Sequence, residues 1–408
     1  MQTTKCDEKQ VLLSSILVFL YPITLLIQPY SYSWLPILIA LVSLAFYAKT
    51  RKRVSINESQ KLTHWLILSY FISIVASYLI FDGPPKQLDI PNRILLIFPI
   101  VTFLMAYRPS TTWVILGIGI GGVIAGIIAV YMHFVLNVRA LGALGYMSIQ
   151  ASGMAMTLGI LSLVGMFHFI EKRKTAFAFL TAIGSCGGIG ASLLSGGRGA
   201  WLISPFIIAF LLWHYRKWIS PRLAVIALLL FSAVLSITYP VIEKRITAIN
   251  YDLQIGGQSS SAVRIELWKA AIYIGKEFPI FGTGYHNLIP EKQKLVDIGI
   301  VEKSAVLFSN AHNQYLDALQ ERGIIGLMAI FAMCIAPIWY FKKQYQRHKN
   351  TDKAYFAVMG ICHITLLMGY FLTQTYLNHH SGILLYITFT AIFMAMCTES
   401  DENGRVET

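Results

Sequence analysis

Apolar stretches long enough to cross a lipid bilayer recur along almost the whole chain, broken by one polar interruption at residues 241–322. A hydrocarbon core of about 30 Å takes roughly 17–25 helical residues to span. Backbone groups in lipid must pair within their own segment, so such runs read as helices. The pattern predicts twelve of them, at 11–28, 33–48, 65–81, 93–107, 112–136, 148–170, 175–194, 200–214, 223–240, 323–341, 354–377 and 382–398. The second, fourth and eighth are short, so ten or eleven spans also fit. No small-residue cleavage site follows the first run, which therefore reads as a span and not as a removed signal. The predicted fold is an all-α polytopic membrane protein with about twelve transmembrane helices and one large external loop. Residues 1–240 hold helices one to nine, 241–322 the loop, 323–398 helices ten to twelve, and 399–408 a tail.

Composition agrees with this pattern. Of 408 residues, 56% are apolar and 13% charged, too apolar for a water-soluble domain of this length. The net charge of +13 is distributed in a way that orients the chain. Lys49, Arg51, Lys52, Arg53, Arg108, Lys172, Arg173, Lys174, Arg216, Lys217, Arg222, Lys342, Lys343, Arg347, Lys349 and Lys353 fall in short loops on one side, which the positive-inside rule makes cytoplasmic. Both termini then lie in the cytosol and residues 241–322 outside. That loop exceeds the roughly 60 residues over which the rule operates, so its own Lys244, Arg245, Arg264, Lys269, Lys276, Lys292, Lys294 and Lys303 do not reverse the assignment. No contiguous basic face with interleaved aromatics is present, which argues against nucleic acid as a partner. Cys186, Cys334, Cys362 and Cys397 sit in apolar runs and Cys6 in the N-terminal tail, with neither disulfide nor zinc spacing. The fifth and seventh runs are rich in glycine, which fits close helix packing in lipid or, as the alternative, a hinge or substrate groove.

Inside the loop, Ser259–Glu277 has helical periodicity, with Val263, Leu267, Ala270 and Ile274 on one stripe and Arg264 and Trp268 four apart on its flank. Pro279 ends it. Gly282-Thr283-Gly284 reads as a turn that brings backbone amides close to a neighbour. Ala311–Glu321 reads as a helix with His312 on its first turn, where free amides and the positive dipole end favour phosphate oxygens.

A basic loop outside the cytosol needs an anionic ligand to justify it, and the candidate residues follow from that. Arg198, bracketed by glycines between the seventh and eighth runs, is costly at a membrane interface unless paired or solvated. Arg264 offers a second guanidinium fork for phosphate. His312 has the side chain best suited to accept a proton near neutral pH. Asn313 either orients an acceptor or caps the helix, and Trp268 stacks on a cation, faces a sugar or anchors at the headgroups. Tyr285 and His286 are further candidate contacts. Arg139 and Arg93 add phosphate contacts or serve as anchors, and His379 and His380 read as interfacial. The external segments carry no metal-ligand spacing, no phosphate-binding Gly-Lys-Ser/Thr loop and no Gly-x-Ser-x-Gly elbow, which disfavours ATP and serine hydrolysis.

Three stretches, in order, resemble the O-antigen ligase family within the wider group of O-antigen ligases and polymerases. Arg198-Gly199-Ala200-Trp201 resembles the family's Arg-Gly-Ala-Trp segment. Arg264 opens an Arg-x3-Leu element, although position 268 is Trp and the leucine comes one earlier, at Leu267. His312-Asn313, followed after nine residues by Gly323 and then by Gly326, fits the His-Asn…Gly-x-x-Gly signature in full. Phe278–Tyr285 also resembles the family's Asn-Pro…Gly-x-Gly segment. The resemblance implies a glycosyltransferase of the GT-C type in a Gram-negative inner membrane. It would act at the periplasmic face on undecaprenyl-diphosphate-linked O-antigen as donor and lipid A-core as acceptor, with no metal and no cofactor. It assigns Arg198 and Arg264 to the diphosphate and His312 to the acceptor hydroxyl. An O-antigen polymerase is the nearest rival, and a transporter of lipid-linked glycans the rival from another class.

Overall fold

The structure is a computed structural model. It describes residues 5–28, 30–51, 54–142, 147–222 and 260–398, and within 223–259 residues 225, 229, 232, 233, 235–244 and 247. Among the described residues the chain is helical, with no strand. In chain order the helices are α1 (Lys5–Thr24), α2 (Ser31–Thr50), α3 (Glu58–Ile80), α4 (Ile97–Ala106), α5 (Thr111–Val130), α6 (Ser148–Glu171), α7 (Thr175–Ser195), α8 (Ser204–His214), α9 (Ser260–Glu277), α10 (Leu288–Asp297), α11 (Gln314–Arg347), α12 (Asp352–Phe371) and α13 (His380–Cys397).

Nine segments among the described residues are long and apolar enough to cross a membrane, so the exact count of twelve is not reproduced. Three expected runs make the difference. The first forms α1, whose opening turns carry Lys5, Asp7, Glu8 and Lys9. The eighth yields only the apolar stretch Arg198–His214, too short to span. The ninth, 223–240, lies only in part among the described residues.

The bundle is organised around three buried helices. The apolar windows of α6, α12 and α13 are 89%, 83% and 94% buried, whereas those of α2 and α3 are 33% and 39% buried and present side chains such as Leu41, Trp65 and Leu79 outward. The glycine-rich α5 and α7 pack backbone to backbone. A Cβ built on Gly122 would lie 2.2 Å from the Gly184 carbonyl, so the glycines serve the close approach that small residues permit. α11 packs on α3 and α12, and α13 on α12 and α4.

The two ends of the bundle differ. At one, Lys172 Nζ bonds Asp352 Oδ1 at 2.7 Å and the Arg108 guanidinium donates to the Met396 carbonyl, so three of the basic loops meet there. α11 runs from that end, at Arg347, to the opposite one, at Gln314. There it breaks at Gly323, which has φ 61° and ψ −154°. A helix break strands carbonyls on one side and amides on the other. Here the segment after α9 takes up both sets. Thr283 and Gly284 N–H donate to the Gln320 and Glu321 carbonyls at 3.1 and 3.0 Å, and Ile324 and Ile325 N–H donate to the Pro279 and Ile280 carbonyls at 2.8 and 3.5 Å. The approach requires glycine: a Cβ on Gly323 would lie 2.4 Å from the Ile280 carbonyl oxygen, and one on Gly282 the same distance from Arg322 N.

Gly323→Ala is therefore expected to cost about 2 kcal/mol or more, from combined clash and left-handed backbone. Gly299→Ala, also at positive φ but with open space around its Cβ, is the control and should cost about 1 kcal/mol. Thermal unfolding followed by a thiol-reactive dye reports this, because Cys334, Cys362 and Cys397 are free and buried. Equal melting of the two variants would contradict the interlock.

Candidate functional site

At the end of the bundle where α11 begins, three separate segments converge. The first is the corner between α7 and α8. α7 stops at Gly196 in the left-handed conformation, and Arg198–Ala200 form a single 3₁₀ turn. Gly199 packs against Thr373 with no room for a Cβ, and Ser152 on α6 donates to the Gly197 carbonyl at 3.2 Å. Arg198 is thereby fixed, half-buried, next to the end of α12. Arg139 Nε donates to the Ser195 carbonyl at 2.7 Å, so this exposed arginine braces the corner.

The second segment is α9, whose Leu267, Ala270 and Ile274 are buried as the periodicity predicts. Ala270 and Ile274 share a small core with Leu295, Val301 and Ala305, which gives the external segment an interior of its own. This packing turns Arg264 inward. Burial, and after it the charge of Arg198, pushes the Arg264 pKa below its usual value. The two guanidinium groups are therefore electrostatic neighbours, although 66 positions separate them in sequence.

The third segment carries His312. It precedes the helix instead of occupying its first turn. α11 starts at Gln314 with Asn313 as its N-cap, and His312 holds φ 46° one residue before that. Histidine is among the few residue types enriched in this left-handed region. Asn313 Oδ1 accepts from Tyr315 and Leu316 N–H at 3.0 and 3.2 Å, and its Nδ2 donates to the Leu372 carbonyl at 3.1 Å. The side chain thus takes the capping role, and the amides that would have faced a phosphate are used in it. The amides of Thr283 and Gly284 are likewise used in the helix break. An anion here is met by side chains.

Several contacts hold His312 in place. Trp268 Nε1 donates to the Ala311 carbonyl at 3.0 Å, which assigns this tryptophan to α9–loop anchoring. Ala311 N–H donates to Asp317 Oδ1 at 2.9 Å, and His312 N–H to Asn310 Oδ1 at 3.1 Å. Phe308 lies edge-on to the imidazole. The ring's Nδ1 is 2.8 Å from Gln374 Oε1, while Gln374 Nε2 is 3.2 Å from His379 Nε2. Burial first, then the nearby His312 and His380, push His379 down to about 4, so its ring is neutral at pH 7, and in the tautomer protonated at Nδ1 its Nε2 accepts from Gln374 Nε2. In that arrangement Gln374 Oε1 accepts a hydrogen bond from His312 Nδ1–H. His312 Nε2 is left as the basic nitrogen. Burial first, and Arg264 in the same sense, lower the His312 pKa from 6.5, against the Gln374 bond, which raises it. The imidazole is neutral at pH 7.

Of the remaining candidates, Tyr285 and His286 are exposed on the 3₁₀ turn after Gly284. Arg93 pairs with Asp89 at 3.5 Å and does not join this cluster. Three contributors escaped the sequence reading. Gln374 and Asp317 lie in apolar or helical runs, where a lone amide or carboxylate carries no spacing signal. Lys292 was one cation among the loop's many. It is fully buried, and its Nζ donates to the Phe308 and Ser309 carbonyls at 2.9 and 2.7 Å.

Residues 187–332, which span all three segments, match the sequence profile of the O-antigen ligase family. In this stretch the chain is similar to the O-antigen ligase family. It is also 29% identical over 399 residues to an uncharacterized protein of Haemophilus influenzae, covering 93% of this chain and 97% of that one. The family's His-Asn, Gly-x-Gly and Gly-x-x-Gly elements thus acquire physical meaning here. The histidine and asparagine form the helix entry, and the glycines form the break that supports it.

Burial lowers Lys292 to about 8. Below that pH the charged ammonium is held at a cost, but it satisfies two carbonyls. Because its folded pKa lies below the unfolded value, this group's contribution to stability should rise with pH between about 8 and 10.5 and be flat below. Lys292→Met should remove that rise. It should also lower stability at pH 7 by about 1–3 kcal/mol, through two stranded carbonyls. Melting curves across pH 7–10 check both.

Proposed function

We propose that the chain is an O-antigen ligase: a glycosyltransferase that moves a polysaccharide from undecaprenyl diphosphate to a sugar hydroxyl of a lipid A-core at the periplasmic face of an inner membrane. The observation that carries this is the placement of Arg264 beside Arg198 and within electrostatic reach of His312, at one end of a membrane bundle. Two adjacent cations repel, and a pyrophosphate that bridges them turns the repulsion into binding. An apolar groove of about 540 Å³ lined by Ile127, Val130, Ile183, Gly190 and Leu194 runs along α5 and α7 toward the same corner and suits a polyisoprenoid tail. The match of residues 187–332 to the family's profile supports lipid-linked polysaccharide substrates.

In this reading His312 Nε2 takes the proton from the acceptor hydroxyl as its oxygen attacks the anomeric carbon. The bond from that carbon to the diphosphate oxygen breaks, and its electron pair leaves with the diphosphate. Arg198 and Arg264 stabilise the charge that develops there. A single displacement inverts the anomeric configuration.

Each of Arg198→Ala and Arg264→Ala should lower transfer by about 10²–10³-fold while the protein still inserts, the usual loss for one such donor. Arg264→Lys should also fall, because an ammonium does not reproduce the bidentate fork. His312→Ala should block transfer and retain donor binding. The decisive assay mixes purified protein with undecaprenyl-diphosphate glycan and rough lipopolysaccharide in the presence of chelator. A ladder on lipopolysaccharide supports the ligase, and extension of lipid-linked glycan alone would instead make it a polymerase.

The pH dependence follows from the direction of the His312 shift. A base with lowered pKa stays deprotonated further into acid, so the acid limb of kcat/KM should lie below pH 6.5. A limb above pH 7 would remove His312 as the base.

A further inference from the structure

Next to His312 lies a polar cavity that the transfer chemistry above does not use. Its volume is about 350 Å³, at the lower end of the range of roughly 300–1,000 Å³ in which small-molecule sites fall. Asn310, Glu321, Arg322, Tyr285, Lys86 and His379 are in its wall, and neither Arg198 nor Arg264 lines it. Two links tie it to the imidazole. Asn310, in the wall, accepts from the His312 amide, and His379, also in the wall, contacts Gln374, which in turn holds His312 Nδ1.

The chemistry of the wall is mixed, and part of it is unsatisfied. Glu321 and Arg322 are consecutive, and only 7% and 3% exposed. Gln87 Nε2 donates to Glu321 Oε1 at 3.0 Å. Arg322 Nη1 donates to Ser73 Oγ at 3.2 Å, and its guanidinium lies over the Tyr70 ring. Arg322 Nε, by contrast, is buried with no partner among the described residues, as is Thr375 Oγ1, another wall atom. Buried polar atoms without partners are rare and call for a ligand or an ordered water. A pure phosphate site would not place a carboxylate beside its arginine. A carboxylate acceptor, a guanidinium donor, amides and an aromatic edge within one small cavity instead match the vicinal hydroxyls and C–H face of a sugar ring.

We propose that this cavity binds the acceptor saccharide, with Glu321 and Arg322 as the groups that select it and Tyr285 and Lys86 at its mouth. The proposal rests on the glycosyl-transfer reading and adds to it a division of labour: the arginine pair holds the donor, and the cavity holds the acceptor. His312 stands between the two sets of contacts.

The test is steady-state kinetics of the purified full-length protein, with undecaprenyl-diphosphate glycan and rough lipopolysaccharide varied separately. Glu321→Gln and Tyr285→Ala should each raise the KM for lipopolysaccharide roughly tenfold, the scale of one lost hydrogen bond to a charged group. The KM for the donor should stay where it is. Arg264→Ala should give the opposite split. Tyr285→Ala and Lys86→Ala change exposed wall residues, so they decide the matter if the buried Glu321→Gln variant does not fold. Unchanged acceptor KM in both, or a rise in donor KM, would overturn the proposal and leave the transfer reading intact. No transfer by the wild type with any acceptor would instead remove the transfer reading itself.

Discussion

The arrangement at the mouth of this bundle depends on a broken helix whose stranded backbone groups are paired. α11 starts at Gln314, breaks at Gly323 and restarts beyond the kink. Left alone, the break would leave carbonyls before it and amides after it without partners, at a cost that a membrane interface makes severe. The 279–284 segment supplies both donors and acceptors through its backbone. Because the exchange is backbone to backbone, it locks position and direction regardless of side-chain identity elsewhere. It fixes the external segment to the bundle and sets the first turns of α11 at an angle of their own. His312, its cap Asn313 and the buried Asp317 all derive their positions from that angle.

The second layer of constraint is electrostatic. Several cations stand at this end of the bundle: Arg198 and Arg264 within electrostatic reach of one another, Arg322 over Tyr70, and Lys292 buried against two carbonyls. Each is given a different job by its surroundings. Lys292 is committed to the loop backbone and Arg322 is committed in part to Ser73. Arg198 and Arg264 are held as mutual neighbours. Burial first, and the Arg264 guanidinium in the same sense, lower the histidine's pKa, while Gln374, being neutral, orients it without adding the countercharge an aspartate would bring. Burial lowers the imidazole's pKa against the upward pull of the Gln374 bond, which favours the deprotonated form a base needs.

Much of this was legible in the sequence, for identifiable reasons. Hydropathy runs locate membrane helices because lipid imposes one rule on every residue of a span, and nine of the expected runs appear as such helices. The amphipathic stripe of α9 was readable because Leu267, Ala270 and Ile274 obey a fixed period. The motif residues Arg198, Arg264 and His312 were readable because they are unusual where they stand. Three other features were not. The exact position of His312, two residues before its helix begins, depends on a cap and a positive φ that periodicity does not encode. The use of the Gly282–Gly284 amides was clear only as a turn near something, since the partner is a carbonyl pair some forty positions on. Gln374 and Glu321 stand in short polar stretches at the ends of apolar runs, and only the tertiary fold distinguishes a packed contact from a solvated one.

The separate origins of the two arginines have a consequence for how such a site works. Arg198 belongs to a corner wedged between α6 and the end of α12, so it moves with the membrane bundle. Arg264 belongs to α9, which has its own small core with Leu295, Val301 and Ala305. An anion that bridges them therefore ties the bundle to the external segment, and it does so where like charges otherwise push the two apart. Under the ligase reading, donor arrival would draw α9 toward the corner at Arg198. Trp268, four residues along the same helix and bonded to the Ala311 carbonyl, connects that movement directly to the residue before the histidine. On that reading the same helix would carry both the charge that meets the donor and the ring that positions the base, which gives a reason for α9 to pack against the bundle.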